Sequence, residues 1–99
     1  MSVTKNNVAQ LKAALAKRPI SVVVDAASNV WKTYRYGVLN SSSCGTSTDH
    51  AVLLVGWGND NGQDYWLVKN SWDTTWGEYG YVRLAIVEGL GMCGVQTLP

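Results

Sequence analysis

Phenylalanine is absent from this sequence, and histidine occurs once, as His50. The aromatic rings are therefore Trp and Tyr, five of each in 99 residues. Both carry a polar atom and suit sites where an apolar body meets a wet or polar edge. The balance favours a cleft or an interface over a plain core. Charge is also scarce: 15% of the residues are charged, with a formal net charge of +1. The eight basic residues are scattered, so no phosphate-tracking stripe exists and nucleic acid is not an expected partner. Long apolar runs are missing. Ile20 to Val24 and Ala51 to Val55 are far too short to span a bilayer, so no membrane partner is expected. The opening Met-Ser-Val-Thr-Lys has neither the basic start nor the apolar stretch of a signal peptide. Two cysteines and one histidine lack the CxxC and HxxxH spacings, so no metal site and no cofactor is expected.

What is present suits one small domain over residues 1–99. Asn6 and Asn7 suit a helix cap, and Val8, Leu11 and Leu15 follow at helical spacing. Pro19 should stop that helix at Lys17 or Arg18. ISVVVDA, residues 20–26, reads as a buried strand. Residues 29–37 read as a short helical or irregular segment, and residues 40–48 as a polar loop. His50 to Trp57 is the longest strand, NDNG at 59–62 is a turn signal, and residues 64–72 return antiparallel. Residues 81–87 form a third strand after a Gly-bearing loop, and residues 95–98 suit a short edge strand. The fold class is α+β, mainly β: an antiparallel sheet or small barrel with one N-terminal helix.

Cys44 and Cys93 each stand beside a Gly. One disulfide would close a loop of about 50 residues, worth roughly 4 kcal/mol in the chain-entropy model. Two unpaired thiols are the other reading.

His50 is the first candidate for chemistry, because an imidazole ordinarily titrates at about pH 6.5 and can take and give protons. A strand-end histidine is more often simply hydrogen-bonded. Asp49 is its neighbour, but adjacent strand residues point to opposite faces, so Asp49 is a poor ring partner. Asn70 stands at the end of the returning strand, where an amide either begins an Asx-turn or orients a neighbour. A hairpin centred between residues 60 and 61 brings His50 opposite a residue near 71, so His50 and Asn70 reach the same end of the ladder. Trp72 and Trp76 follow in a Gly-bearing loop, where an indole can shield a hydrogen bond or simply fill the core.

Taken together, DHAVLLVGWG, YWLVKNSWDTTWGEYGYVRL and MCGV resemble the C-terminal half of papain-like cysteine peptidases. PISVVVDA is similar to the strand of that family that precedes a substrate-binding wall. The resemblance runs from about residue 7 to 98 and implies peptide-bond hydrolysis by a Cys-His pair. His50 is similar to the catalytic histidine and Asn70 to the asparagine that orients it. Trp72 resembles the indole over the Asn–His hydrogen bond, and Trp76 the Trp lining the primed side of the cleft. By the same resemblance, Val23, Thr48, Asp49, Ala51 and Leu98 would border the substrate pocket. Cys44 and Cys93 match a disulfide of the family. The implied partners are peptide or protein substrates, peptidase inhibitors and a Cys-bearing N-terminal lobe, with self-association of an isolated lobe also expected. A full-length relative of this kind implies a secreted or lysosomal/vacuolar setting.

Two departures stand out. Asp73 replaces the usual Gly after Trp72, where a positive φ would cost Asp some energy. No CGSCW-like helix start, with its preceding glutamine, occurs in the chain. The expectation is the β-rich lobe of an endopeptidase, inactive alone. The alternative is a lobe that folds by itself and serves as a scaffold or binding module.

Overall fold

Asn61 and Gly62 form the turn about which the sheet is built, and both have positive φ, 52° and 87°. A two-residue turn of that kind matches the twist of antiparallel strands. It joins β3 (His50–Asp60) to β4 (Gln63–Lys69), with Asp60 facing Gln63. The turn thus lies one residue later than the sequence spacing suggests. The computed structural model describes residues 8–97.

Five strands share one sheet in the order β1-β3-β4-β5-β2. β1 (Ile20–Val24) runs antiparallel to β3 with Val24 opposite His50. β5 (Tyr81–Ala85) runs antiparallel to β4. The edge strand β2 is only Val38–Leu39, and it pairs parallel to β5. The sheet is therefore mixed, where an antiparallel one was expected. β1 and β2 are its two edges and do not pair, so it is open and not a barrel.

The helix α1 spans Val8–Leu15, and the Ala16 and Lys17 N–H groups continue the turn to Lys12 and Ala14 carbonyls. It ends slightly before the expected Lys17 or Arg18, within the fraying of any helix end. Its expected caps, Asn6 and Asn7, lie outside the described residues. Leu11, Ala14 and Leu15 are buried. The second helix, α2 (Asn29–Lys32), is one turn long and is capped by Ser28, whose hydroxyl accepts the Trp31 N–H. Trp31 is wholly buried, with Trp66, Leu54, Val68 and Leu84 also in the core.

Of the edge strand expected over residues 95–98, the described residues 95–97 form turns instead. Met92–Gly94 make a 3-10 turn, and Val95, Gln96 and Thr97 donate their N–H groups to Met92, Leu90 and Gly94 carbonyls. Those donors are used locally, which leaves none for a ladder. The Gln96 side chain is buried, accepting from Trp66 Nε1 at 3.2 Å and donating to the Gly89 carbonyl at 3.1 Å.

Candidate active site

β3 alternates as a half-buried strand should: Val52 and Leu54 are buried, while Ala51 and Leu53 face outward. His50, two residues before Val52, lies on the inward face and is half-buried. A bulge at Val55 separates the Leu54–Val68 pair from the Gly56–Leu67 pair. Continuing the Leu53–Lys69 register places Asn70 opposite Val52. His50 therefore reaches Asn70 along the diagonal, between neighbours on one face.

The contact is direct. His50 Nε2 lies 2.8 Å from Asn70 Oδ1. The amide's orientation is fixed independently, because the Ser71 backbone N–H donates to the same Oδ1 at 2.8 Å. An N–H cannot donate to an amide NH2, so that atom is the oxygen. It follows that Nε2 of His50 carries a proton and donates. In the neutral ring Nδ1 is then the acceptor, available for proton transfer. Asn70 is 4% exposed and held by its own N–H, which donates to the Gly80 carbonyl at 3.0 Å. Its Nδ2 is buried without a hydrogen-bond partner among the described residues.

A chain of aromatic rings begins at this pair. Trp72 lies 5.5 Å from the His50 ring at an interplanar angle of 37°. Trp76 meets Trp72 edge-on at 5.5 Å and 81°. The exposures differ: Trp72 is 38% exposed and Trp76 only 9%. Trp76 packs on Trp31 and Tyr34, and its Nε1 donates to the Trp31 carbonyl at 3.0 Å. Trp31 and Tyr34, which sequence reasoning did not single out, are the floor under Trp76. They fall within residues 29–37, which the sequence marks only as a short helical or irregular segment.

Asp73 does not occupy the left-handed region. Its carboxylate accepts the Thr75 N–H at 3.3 Å and its carbonyl the Trp76 N–H at 3.0 Å. It begins a turn, a role natural to Asp, so glycine is not required there. Glycine is required at Gly77, where φ is +60° and a Cβ would sit 2.6 Å from the Tyr81 carbonyl oxygen.

The approach to His50 is braced from the other side. Asp49 is exposed and points away from the ring, and its Oδ1 accepts the Ala26 N–H at 2.9 Å. Its own N–H donates to the Val24 carbonyl at 2.9 Å. Asp25 is a further organiser that the sequence reading missed. It is buried, and its carboxylate accepts the N–H groups of Ala27 at 3.1 Å and Ser47 at 3.0 Å. An acidic residue closing an apolar strand was the signal available. Cys44 and Cys93 are joined in a disulfide, and the Asp25 N–H donates to the Cys93 carbonyl at 2.8 Å.

Val23 and Ala51 are register partners on the outward face, and Thr48 is half-buried on the chain leading into β3. Leu98 lies outside the described residues. A depression of about 430 Å3 opens beside these strands, lined by Ser21, Ala51, Leu53, Lys69 and Asn70 among others.

The loop holding both tryptophans is tied to β5 by charge. Glu78 accepts from Arg83 Nε and Nη2, each at 2.9 Å, and from the Gly37 N–H at 3.0 Å. These bonds, Arg83's foremost, hold the Glu78 carboxyl below the usual carboxylate range. Arg83 also reaches Asp60 at 2.9 Å. Burial pushes the Tyr34 hydroxyl up; it donates to the Gly37 carbonyl at 2.6 Å. Among the described residues no cluster of His, Cys, Asp or Glu could hold a metal ion, and no helix is long and apolar enough to cross a membrane.

The model of the papain family cysteine proteases matches residues 1–99. The probable cysteine protease RD21C of Arabidopsis thaliana is 48% identical over 98 residues, covering 97% of this chain and 22% of that protein. The oryzain beta chain of Oryza sativa subsp. japonica is 46% identical over 98 residues, covering 97% and 21%. Among solved structures, the bromelain protease of Ananas comosus, determined with the inhibitor E64, superposes with a TM-score of 0.88 at 46% identity. That match covers 95% of this chain and 44% of bromelain's. The proform of Amb a 11, a ragweed pollen cysteine protease, superposes with a TM-score of 0.90 at 36% identity, covering 97% and 27%. The chain thus spans about a fifth of the length of these plant relatives, and less than half of the bromelain chain. By the family model and by these relatives alike, it belongs to the papain family of cysteine proteases.

Proposed function

We propose that residues 1–99 form a single domain, the histidine-bearing lobe of a cysteine endopeptidase, which supplies His50 and Asn70 to a nucleophile carried elsewhere. The observation that carries this reading is the state of the sulfur. The chain has two cysteines, and both are in the Cys44–Cys93 disulfide. The proton-transfer half of a Cys-His pair is present with no thiol to act on.

The chemistry is acyl transfer. A thiolate on the second lobe attacks the peptide carbonyl. His50 as imidazolium gives its Nδ1 proton to the departing amine, and then activates the water that releases the acyl group. Asn70 holds Nε2, which aims Nδ1 at the sulfur. Trp72 covers that hydrogen bond on the solvent side, and Trp76, edge-on against Trp72, lines the primed side of the cleft. Val23, Thr48, Asp49 and Ala51 border the pocket for a substrate side chain. Inhibitors of the kind bound to bromelain would meet the same cleft. No cofactor enters the reaction.

A second reading is favoured by the exposed outward face of β3. Leu53 is 37% exposed beside Lys69 and the depression described above. Such a surface supports a binding role for the lobe, toward its other half or toward an inhibitor, and self-association when neither is there.

The purified chain, assayed with a fluorogenic peptide and reductant, is expected to release no product. Thiol-dependent cleavage by this chain alone would contradict the proposed division of the site.

A further inference from the structure

The polar segment that follows β2 reads Asn40-Ser41-Ser42, an Asn-x-Ser sequence with no proline at the middle position. That pattern is the acceptor for N-linked sugar, and it requires a reachable Asn amide and a hydroxyl two residues on. Both conditions are met here. Asn40 and Ser42 are exposed. Neither side chain has a hydrogen-bond partner among the described residues, whereas Ser41 uses its hydroxyl to accept the Ser43 N–H at 3.2 Å. The middle position is thus the one whose side chain is occupied.

A second observation concerns the compartment. The Cys44–Cys93 disulfide lies just beyond this segment, with both sulfurs buried in the core. Such bonds form where the surroundings are oxidising, and the lumen of the secretory pathway is where sugar is also transferred. The order of synthesis helps. The partners that fix the segment all come much later in the chain: Arg83 and Leu84 opposite Val38 and Leu39, Met92, whose Sδ accepts the Ser41 N–H at 3.4 Å, and Cys93 bonded to Cys44. Asn40 therefore reaches the lumen before its surroundings have closed.

We infer that Asn40 is a site of N-glycosylation. Its Nδ2 forms a bond to C1 of the first sugar of a lipid-pyrophosphate-linked oligosaccharide. The bond from C1 to the pyrophosphate oxygen breaks, the lipid pyrophosphate leaves, and Nδ2 gives up one proton; nothing is oxidised or reduced. The folded chain has room for the product. A depression of about 400 Å3 beside Asn40 is floored by Val87, Gly91 and Met92. The sugar also stands at the end of the open edge strand β2, where it blocks pairing with another chain. In the sheet, β4 and β5 stand between that edge and the strand bearing His50.

The test is expression through a eukaryotic secretory pathway, joined to the nucleophile-bearing lobe, followed by peptide mass spectrometry with and without an amidase that converts glycosylated Asn to Asp. The readout does not involve peptidase activity, so it stands apart from the proposed function. The peptide containing Asn40 is expected to carry glycan in the wild type and in Ser41→Ala. The glycan is expected to be lost completely in Asn40→Gln and in Ser42→Ala. Secreted wild-type protein with the disulfide intact and Asn40 unmodified would overturn the inference, as would modification that survives Ser42→Ala.

Discussion

Ser71 decides the protonation of His50 without touching it. Its N–H donates to Asn70 Oδ1 at 2.8 Å, and this leaves His50 Nε2, also 2.8 Å from that oxygen, as a donor. The neutral imidazole is therefore the Nε2–H tautomer. Nitrogen-15 NMR of the neutral ring should show Nε2 protonated and Nδ1 bare. The opposite tautomer would mean that the amide is turned over.

Removing the amide should separate aim from stability. In the assembled enzyme, Asn70→Ala is expected to lower kcat/KM by roughly 10–100-fold through misplacement of the ring. The cost in stability should be only about 1–2 kcal/mol, because one buried, unpaired NH2 is removed along with two accepted bonds. Activity assays and urea denaturation on the same preparation separate the two effects.

The two tryptophans should respond in opposite ways. Trp76 is buried on Trp31 and Tyr34, so Trp76→Ala is expected to cost about 3–5 kcal/mol. Trp72 is partly exposed, so Trp72→Ala should cost less than about 2 kcal/mol. Its larger effect should be on kcat/KM, as water reaches the His50–Asn70 hydrogen bond. Denaturant midpoints and kinetics for the pair of variants check this crossing pattern.

Glu78 makes stability depend on acidity. Its carboxyl is held below the ordinary range, foremost by Arg83's hydrogen bonds. A depressed carboxylate contributes stability above its unfolded value, about pH 4.3, and loses it as the pH falls through the folded value. Glu78→Gln should therefore melt at lower temperature near neutrality and lose less on acidification. Thermal melts of wild type and variant between about pH 7 and pH 3 should converge at the acid end.

Reduction or replacement of the disulfide should destabilise by about 2–5 kcal/mol. Cys44→Ser and Cys93→Ser should be alike, since each removes the same link between the loop before His50 and the turn after Leu90. Chemical denaturation of each variant and of the double variant tests that equivalence.

Much of this site is local in sequence, which is why it was legible. Apolar alternation marks β3, an Asn-Gly pair marks the turn, and Asn70 ends the apolar strand that must return to His50. The register was less legible. The turn lies one residue later than the spacing implies and a bulge at Val55 shifts the ladder again, so the diagonal contact emerges only from the backbone. The parallel pairing of β2 with β5 was hidden because β2 is two residues long and its partner lies far along the chain. The absence of a strand at residues 95–97 has a local cause: the glycines at 91 and 94 adopt positive φ and turn the chain on itself. Asp73 looked strained only on the assumption that its position needs a left-handed backbone, and it does not.

The central claim is that His50 serves a thiol this chain does not contain. The most direct measurement is complementation: a separately produced nucleophile-bearing lobe is mixed with this chain and assayed for thiol-dependent peptide cleavage. Neither part alone should cleave, the wild-type mixture should, and the mixture with His50→Ala should not. Equal cleavage by the wild-type and His50→Ala mixtures would contradict the account.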